Sequence, residues 1–220
     1  MQAMPSNGSA SHRGLGMTDY YFSDSDRDLY RVDPVTLAET KIGELPVAMT
    51  DIAIAPNGDM YGITMSGLYL INPDTAQAVF LLQHALPGAN ALAFDPSGQA
   101  YVASTSVGGV YKLNIQTGSV TAFGQGISTL KSAGDLAFHA GQILFSTRDN
   151  DLVTLNAETG ALVRKVDHTI TDLFGLISNG KTVYAFAGSE AYKINPVTGV
   201  STLVEDYPAN TVNSIFGSAS

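Results

Sequence analysis

Short runs of alternating apolar and polar residues recur along this chain at a nearly fixed spacing. Leu29-Tyr-Arg-Val32, Leu68-Tyr-Leu-Ile71, Val110-Tyr-Lys-Leu113, Leu152-Val-Thr-Leu155 and Ala191-Tyr-Lys-Ile194 each precede a turn, and a second run such as Gln77 to Leu82 or Val200 to Val204 follows it. No segment sustains a 3.6-residue apolar period over helical length, so the runs predict strands. The turns share one column, Asp33, Asn72, Asn114, Asn156 and Asn195, spaced by 39, 42, 42 and 39 residues, and a Thr lies three residues after each. Three copies continue as Thr-Gly, at Gly118, Gly160 and Gly199. An Asn or Asp side chain bonds the backbone ahead of it and Gly takes a positive φ, which is the chemistry of a tight hairpin turn.

Upstream of each pair lies a second hairpin: Ile52 to Gly58 into Asp59-Met-Tyr61, Leu92 to Gly98 into Gln99-Ala-Tyr101, Leu136 to Gly141 into Gln142 to Phe145, and Phe174 to Gly180 into Lys181 to Tyr184. Each unit of ~40 residues therefore holds four strands, A to D, the period of a propeller blade. Residues 19 to 45 supply strands B, C and D with no A strand before them, and Val212 to Gly217 reads as an A strand with nothing after it. Joining the two completes a blade and leaves no open sheet edge at the seam. The expected fold is all-β: a five-bladed β-propeller with four antiparallel strands per blade, closed by the C-terminal A strand joining the N-terminal B, C and D strands.

Ile52 to Tyr61 and Leu92 to Tyr101 resemble the hydrophobic-Ala-hydrophobic-x-Pro-x-Gly-x-x-Tyr unit of NHL, YVTN and gluconolactonase-type propeller repeats. Leu68 to Thr75 and Ala191 to Gly199 resemble the strand C turn of quinoprotein-like repeats. The resemblance spans nearly all of residues 17 to 217 and implies the repeat class rather than one activity, since binding proteins, scaffolds and enzymes share these units. The chain departs from the enzyme members: it has no Trp, which quinoprotein blades characteristically carry, and five blades where gluconolactonase-like enzymes have six.

Composition narrows the partners. The chain has 220 residues, 45% hydrophobic and 14% charged, enough to bury one core spanning 17 to 220. Eleven Lys and Arg against twenty Asp and Glu leave a net charge of -9 without a basic block, which repels phosphate backbones and argues against nucleic acid. Cys is absent, which excludes disulfides, thiolate metal sites and Cys nucleophiles. No apolar run reaches the ~18 residues of a spanning helix, so membrane insertion is not expected. Residues 1 to 16 are rich in Ser, Gly and Ala and lack the apolar core of a secretory signal, and they read as a flexible leader or linker.

Chemistry is sparse. Aligning the starts of the A strands places Thr50, Asn90, Gly134, Asp172 and Ser214 at one depth around the axis, with Asp51, Asp135 and Asn213 beside them. Oxygen ligands so arranged would hold water or a hard cation such as Ca²⁺, and hydrated polar residues at a channel mouth are the simpler account. Asp24, Asp26 and Asp28 have the spacing of a calcium loop, but Leu29 and Val35 stand where an EF-hand needs Gly and Glu, so a solvated turn is expected there. His12, His84, His139 and His168 show no metal-ligand spacing, and no nucleophile elbow or dinucleotide loop occurs. The recurring tyrosines, Tyr30, Tyr69, Tyr111 and Tyr192 on strand C with Tyr61, Tyr101 and Tyr184 on strand B, are expected to pack between blades.

No cofactor is implied. The functional expectation is a non-catalytic, extracellular or cell-surface module recognising a glycan or protein partner through blade loops. The competing readings are a metal-dependent hydrolase or lactonase using Asp51, Asp135 and Asp172, and a structural subunit of a larger surface or multidomain assembly.

Overall fold

The structure, a computed structural model, describes residues 19–208 and 211–220. The expected leader, residues 1 to 16, lies outside them. Twenty strands form five antiparallel four-stranded sheets. The first blade contains β1 (Tyr20–Asp24), β2 (Asp28–Val32) and β3 (Glu39–Glu44); the second, β4 (Asp51–Ile54), β5 (Met60–Ile63), β6 (Gly67–Ile71) and β7 (Ala78–Gln83). The third contains β8 (Ala89–Phe94), β9 (Ala100–Ser104), β10 (Val110–Leu113) and β11 (Val120–Ala122); the fourth, β12 (Ser132–His139), β13 (Gln142–Thr147), β14 (Asp151–Asn156) and β15 (Leu162–Asp167). The fifth contains β16 (Leu173–Ser178), β17 (Val183–Ala187), β18 (Glu190–Ile194) and β19 (Ser201–Asp206). The last strand, β20 (Ile215–Ala219), pairs antiparallel with β1 and supplies the first blade's inner strand. The chain is a five-bladed β-propeller closed as the pattern implies.

One difference from the expected elements is local. The closing strand starts at Ile215 rather than Val212, because the N–H groups of Thr211 and Val212 turn back onto the Pro208 carbonyl. Val212 is buried there as a plug between the first and fifth blades.

The core is five separate apolar clusters, one at each blade interface. Tyr20 and Phe22 meet Ile177 and Phe186 between the first and fifth blades, and Leu29 and Leu45 meet Ile52 and Met60 between the first and second. Inter-blade packing is what a lone four-stranded sheet cannot supply. The tyrosine bodies lie at these interfaces as expected: Tyr20 stacks at 5.8 Å on Tyr184 and Tyr61 at 5.2 Å on Phe94, while the Tyr30 hydroxyl donates to the Thr211 carbonyl at 2.5 Å.

The turn column does two jobs. The Asn114 Oδ1 accepts the N–H groups of Gln116 and Thr117, at 2.9 and 3.0 Å, and its carbonyl accepts Gly118 N–H at 2.8 Å. Gly118, Gly160 and Gly199 all have φ between 72° and 74°, and in the first two blades Leu37 and Ala76 take the same left-handed conformation at 60° and 57°. The glycines also lie against the preceding blade: a Cβ would stand 2.2 Å from the Gln83 carbonyl oxygen at Gly118 and 2.1 Å from that of Phe123 at Gly160. The turn of each blade thereby staples the outer strand of its neighbour.

Candidate functional site

Strand pairing fixes which residues share a level around the axis. Ile52, Leu92, Leu136, Leu176 and Ser218 are matched by their partners on the second strands, so the residues one step earlier are Asp51, Ala91, Asp135, Gly175 and Gly217. Two carboxyls and three small residues make this level. The small residues are required by space: a Cβ on Gly217 would lie 2.5 Å from the Asp51 Cα.

Asp51 and Asp135 are both 0% exposed. The Asp51 Oδ1 accepts the N–H groups of Ile52 at 2.7 Å and Ser218 at 3.3 Å, and its Oδ2 accepts Leu92 N–H at 2.6 Å. Asp135 accepts the N–H groups of Leu136 and Leu176 and, at 3.0 Å, the Ser218 hydroxyl. Burial, followed by the neighbouring Asp135, raises Asp51 well above the ordinary carboxylate range. Burial raises Asp135 as well, against hydrogen bonds that favour its ionised form, including one with Asp51. The two buried carboxyls are bridged by Ser218 and resist ionising together, because like charges in one buried site repel. The pair ties the inner strands of all five blades across the axis.

One level further along the axis stand Thr50, Asn90, Gly134, Phe174 and Phe216. The Thr50 hydroxyl lies 3.0 Å from the carbonyls of Ile63 and Ala89, and Asn90 Nδ2 donates to Ala133 at 3.0 Å, so both tie neighbouring blades. The fourth and fifth places of this ring are not Asp172 and Ser214. They belong to Phe174 and Phe216, which pack edge to face at 6.0 Å. Irregular register at the starts of β16 and β20 puts the polar residues two positions earlier. Asp172, exposed and with φ 55°, and Ser214 instead line a polar cavity of about 320 Å³ on the same face of the ring as the Ala187–Glu190 hairpin, with Thr169, Thr171, Glu190 and Tyr192. Asp172 is therefore separate from the Asp51 and Asp135 pair, and the three carboxyls of the hydrolase reading do not converge.

The Asp24, Asp26 and Asp28 segment is a turn, as expected, held by its own backbone and by Asn213. Asp24, buried, accepts the N–H groups of Asp26 and Asp28 on Oδ1 at 3.0 and 2.9 Å, and Asn213 N–H on Oδ2 at 3.3 Å. Asp26 bonds Asn213 Nδ2, and Asp28 is ion-paired with Lys41. Asn213 is thus brought to this hairpin, where it helps anchor the closing strand. Among the described residues no group of three or more His, Cys, Asp or Glu is arranged to hold a metal ion.

A larger cavity of about 670 Å³ opens on the opposite, A–B hairpin face. The inner strands of all five blades line it, with Ile54, Leu92, Phe94, Leu136, Phe138 and Leu176 among its apolar residues and Ser218 and Ser178 among its polar ones. Asp19 and Asp95 also line it, and none of its lining residues is Lys or Arg. Sequence reading missed this funnel. The available signal was the residue column itself, two Asp against Ala and two Gly, which marks an axis closed at one level and open beyond it.

No protein-family model matches the sequence, and no curated protein matches it. Solved structures share the fold. A chain of a nidogen/laminin complex superposes with a TM-score of 0.59 at 15% identity, covering 90% of this chain and 82% of that one. Hydrazine synthase from Kuenenia stuttgartiensis gives 0.53 at 13% identity, covering 74% of this chain and 51% of that one. A protein of unknown function from Bacteroides caccae gives 0.51 at 16% identity, covering 87% and 73%.

Proposed function

We propose that this propeller is a non-catalytic interaction module that binds an extended segment of a protein partner along the outer edge of its second blade. The observation that carries this reading is β7, Ala78-Val-Phe-Leu-Leu-Gln83, which has no charged residue and leaves Val79 and Phe80 53% and 52% exposed. An outer strand presents unpaired N–H and C=O groups, and natural edges are blunted by charge or by shortness. Three of the other outer strands follow that rule with charge: β3 carries Glu39, Lys41 and Glu44, β15 carries Arg164, Lys165 and Asp167, and β19 carries Glu205 and Asp206. The fourth, β11, is three residues long. Among the described outer strands only β7 has neither protection.

A partner strand added there would gain affinity from backbone bonds and selectivity from contacts with Val79 and Phe80. The net charge of -9 favours a neutral or basic partner. The similarity to a propeller chain from a nidogen/laminin complex supports a protein partner over a glycan. A glycan would instead use the hydroxyl-lined cavity around Thr169, Thr171 and Ser214.

Selection from a displayed library of extended peptides, followed by amide exchange of the complex, tests the reading. Protection at residues 78 to 83, with binding lost in Val79→Lys/Phe80→Lys at unchanged melting temperature, is the expected result. Peptides that protect only blade loops and bind the double variant normally would overturn it, and binding confined to a glycan array would favour the glycan reading.

A further inference from the structure

The axial funnel does not depend on the outer-edge reading, and its chemistry points to a different ligand. Its volume of about 670 Å³ falls within the range that encloses a small organic molecule, roughly 300–1,000 Å³. Such sites are mostly apolar with a few placed polar groups. Here Ile54 and Phe138, both half-buried, and the mostly buried Phe94 offer apolar contact, and the Ser218 hydroxyl marks the closed end, where it is bonded to Asp135. Its inner lining residues Leu92, Leu136, Leu176 and Ser218 stand one residue past the level of the buried Asp51 and Asp135.

Charge decides what can enter. The carboxylate of Asp95 accepts the Ser97 N–H at 2.9 Å, the Ser97 hydroxyl at 2.6 Å, the Gln99 N–H at 3.0 Å and the Tyr101 hydroxyl at 3.2 Å. Burial raises this group, but those bonds outweigh burial and hold it below the usual range, so it stays ionised. Asp19 is partly answered by Arg31 at 3.5 Å, which leaves Asp95 as the unpaired charge lining the funnel. Without a lining Lys or Arg, an anionic headgroup would meet only repulsion.

We infer that the axial funnel binds a small apolar molecule carrying a positive charge, its chain among Ile54, Phe94 and Phe138 and its cation at Asp95. Titration calorimetry with decylammonium, below its micelle concentration, against decyl sulfate of equal chain length tests this. One decylammonium per chain, bound at least about tenfold more tightly than decyl sulfate, is expected, which corresponds to roughly 1.4 kcal/mol. Phe138→Ala should weaken decylammonium at least about fivefold, and Asp95→Asn should bring the two ligands to within about threefold of each other. Equal binding of decyl sulfate to the wild type, several molecules bound per chain, or full affinity in both variants would overturn the inference. Unchanged circular dichroism in Asp95→Asn shows that a loss of preference is not a loss of fold.

Discussion

The side chain of Asp51 accepts the backbone N–H of Leu92 at 2.6 Å, one blade away and 41 residues along the chain. Asp135 holds Leu176 N–H at the same separation of 41. The inner edge of each third and fifth blade would otherwise leave this donor unpaired in a site without water access, at a cost of about 1–3 kcal/mol each. The carboxyl pair is an axial clasp, and several measurable consequences follow from it and from the packing around it.

Stability should fall as pH rises. A folded-state value above 3.8 means the folded chain keeps a proton that the unfolded chain releases, so this contribution is full below pH 3.8 and is lost as pH climbs through the pair's raised value. Burial holds His84, His139 and His168 below 6.5, which acts in the opposite direction near neutrality. The two are separated by comparison with Asp51→Asn, which leaves Asp135 as the one ionisable carboxyl of the pair. Thermal melts from pH 5 to 9 should show a steeper decline for the wild type than for Asp51→Asn; parallel curves would mean the pair is not the titrating group.

Truncating the clasp should cost more than neutralising it. Asp51→Ala leaves the N–H groups of Leu92 and Ser218 without their acceptor, an expected loss of roughly 2–5 kcal/mol in denaturant titration. A loss under about 1 kcal/mol would show that the axis repacks freely.

Two glycines with similar φ should respond differently to the same substitution. Gly98 has φ 87° with nothing within 4 Å of an added Cβ, so Gly98→Ala should cost about 1–2 kcal/mol from backbone conformation alone. Gly118→Ala adds a 2.2 Å approach to the Gln83 carbonyl and should cost at least about 1 kcal/mol more. Equal losses by chemical denaturation would refute the staple between blades.

Phe22 sits at the seam, with Tyr30, Phe186 and Tyr207 at 4.9, 6.0 and 5.4 Å. Phe22→Ala should destabilise by roughly 3–5 kcal/mol, as for other fully buried aromatic residues. Because the seam is where β20 joins β1, near-ultraviolet dichroism should be lost before far-ultraviolet signal on heating this variant. Coincident loss would indicate that the seam is not the weak point.

Much of the fold was legible because each blade repeats the same local instructions. The Asn or Asp column, the Thr three residues on and the flanking Tyr-containing runs identify a hairpin without reference to anything distant. The closing strand was also legible, since a lone A strand and a set of B, C and D strands complete one another. The candidate ring was legible in part. Thr50, Asn90 and the Asp51 and Asp135 level lie where the alignment put them, but Asp172 and Ser214 were drawn in by their polarity. Aromatic residues, Phe174 and Phe216, hold those places after a register irregularity that no local pattern announces.

Chain periodicity alone therefore determined the number of blades, their strand order and the closure of the ring, because turn chemistry and alternation act over a few residues. The tertiary structure decided which carboxyls are buried together, which level of the axis is blocked and which outer strand lies bare. Those outcomes depend on packing distances between blades about 40 residues apart, and such distances are set by the joint fit of five interfaces rather than by any one segment.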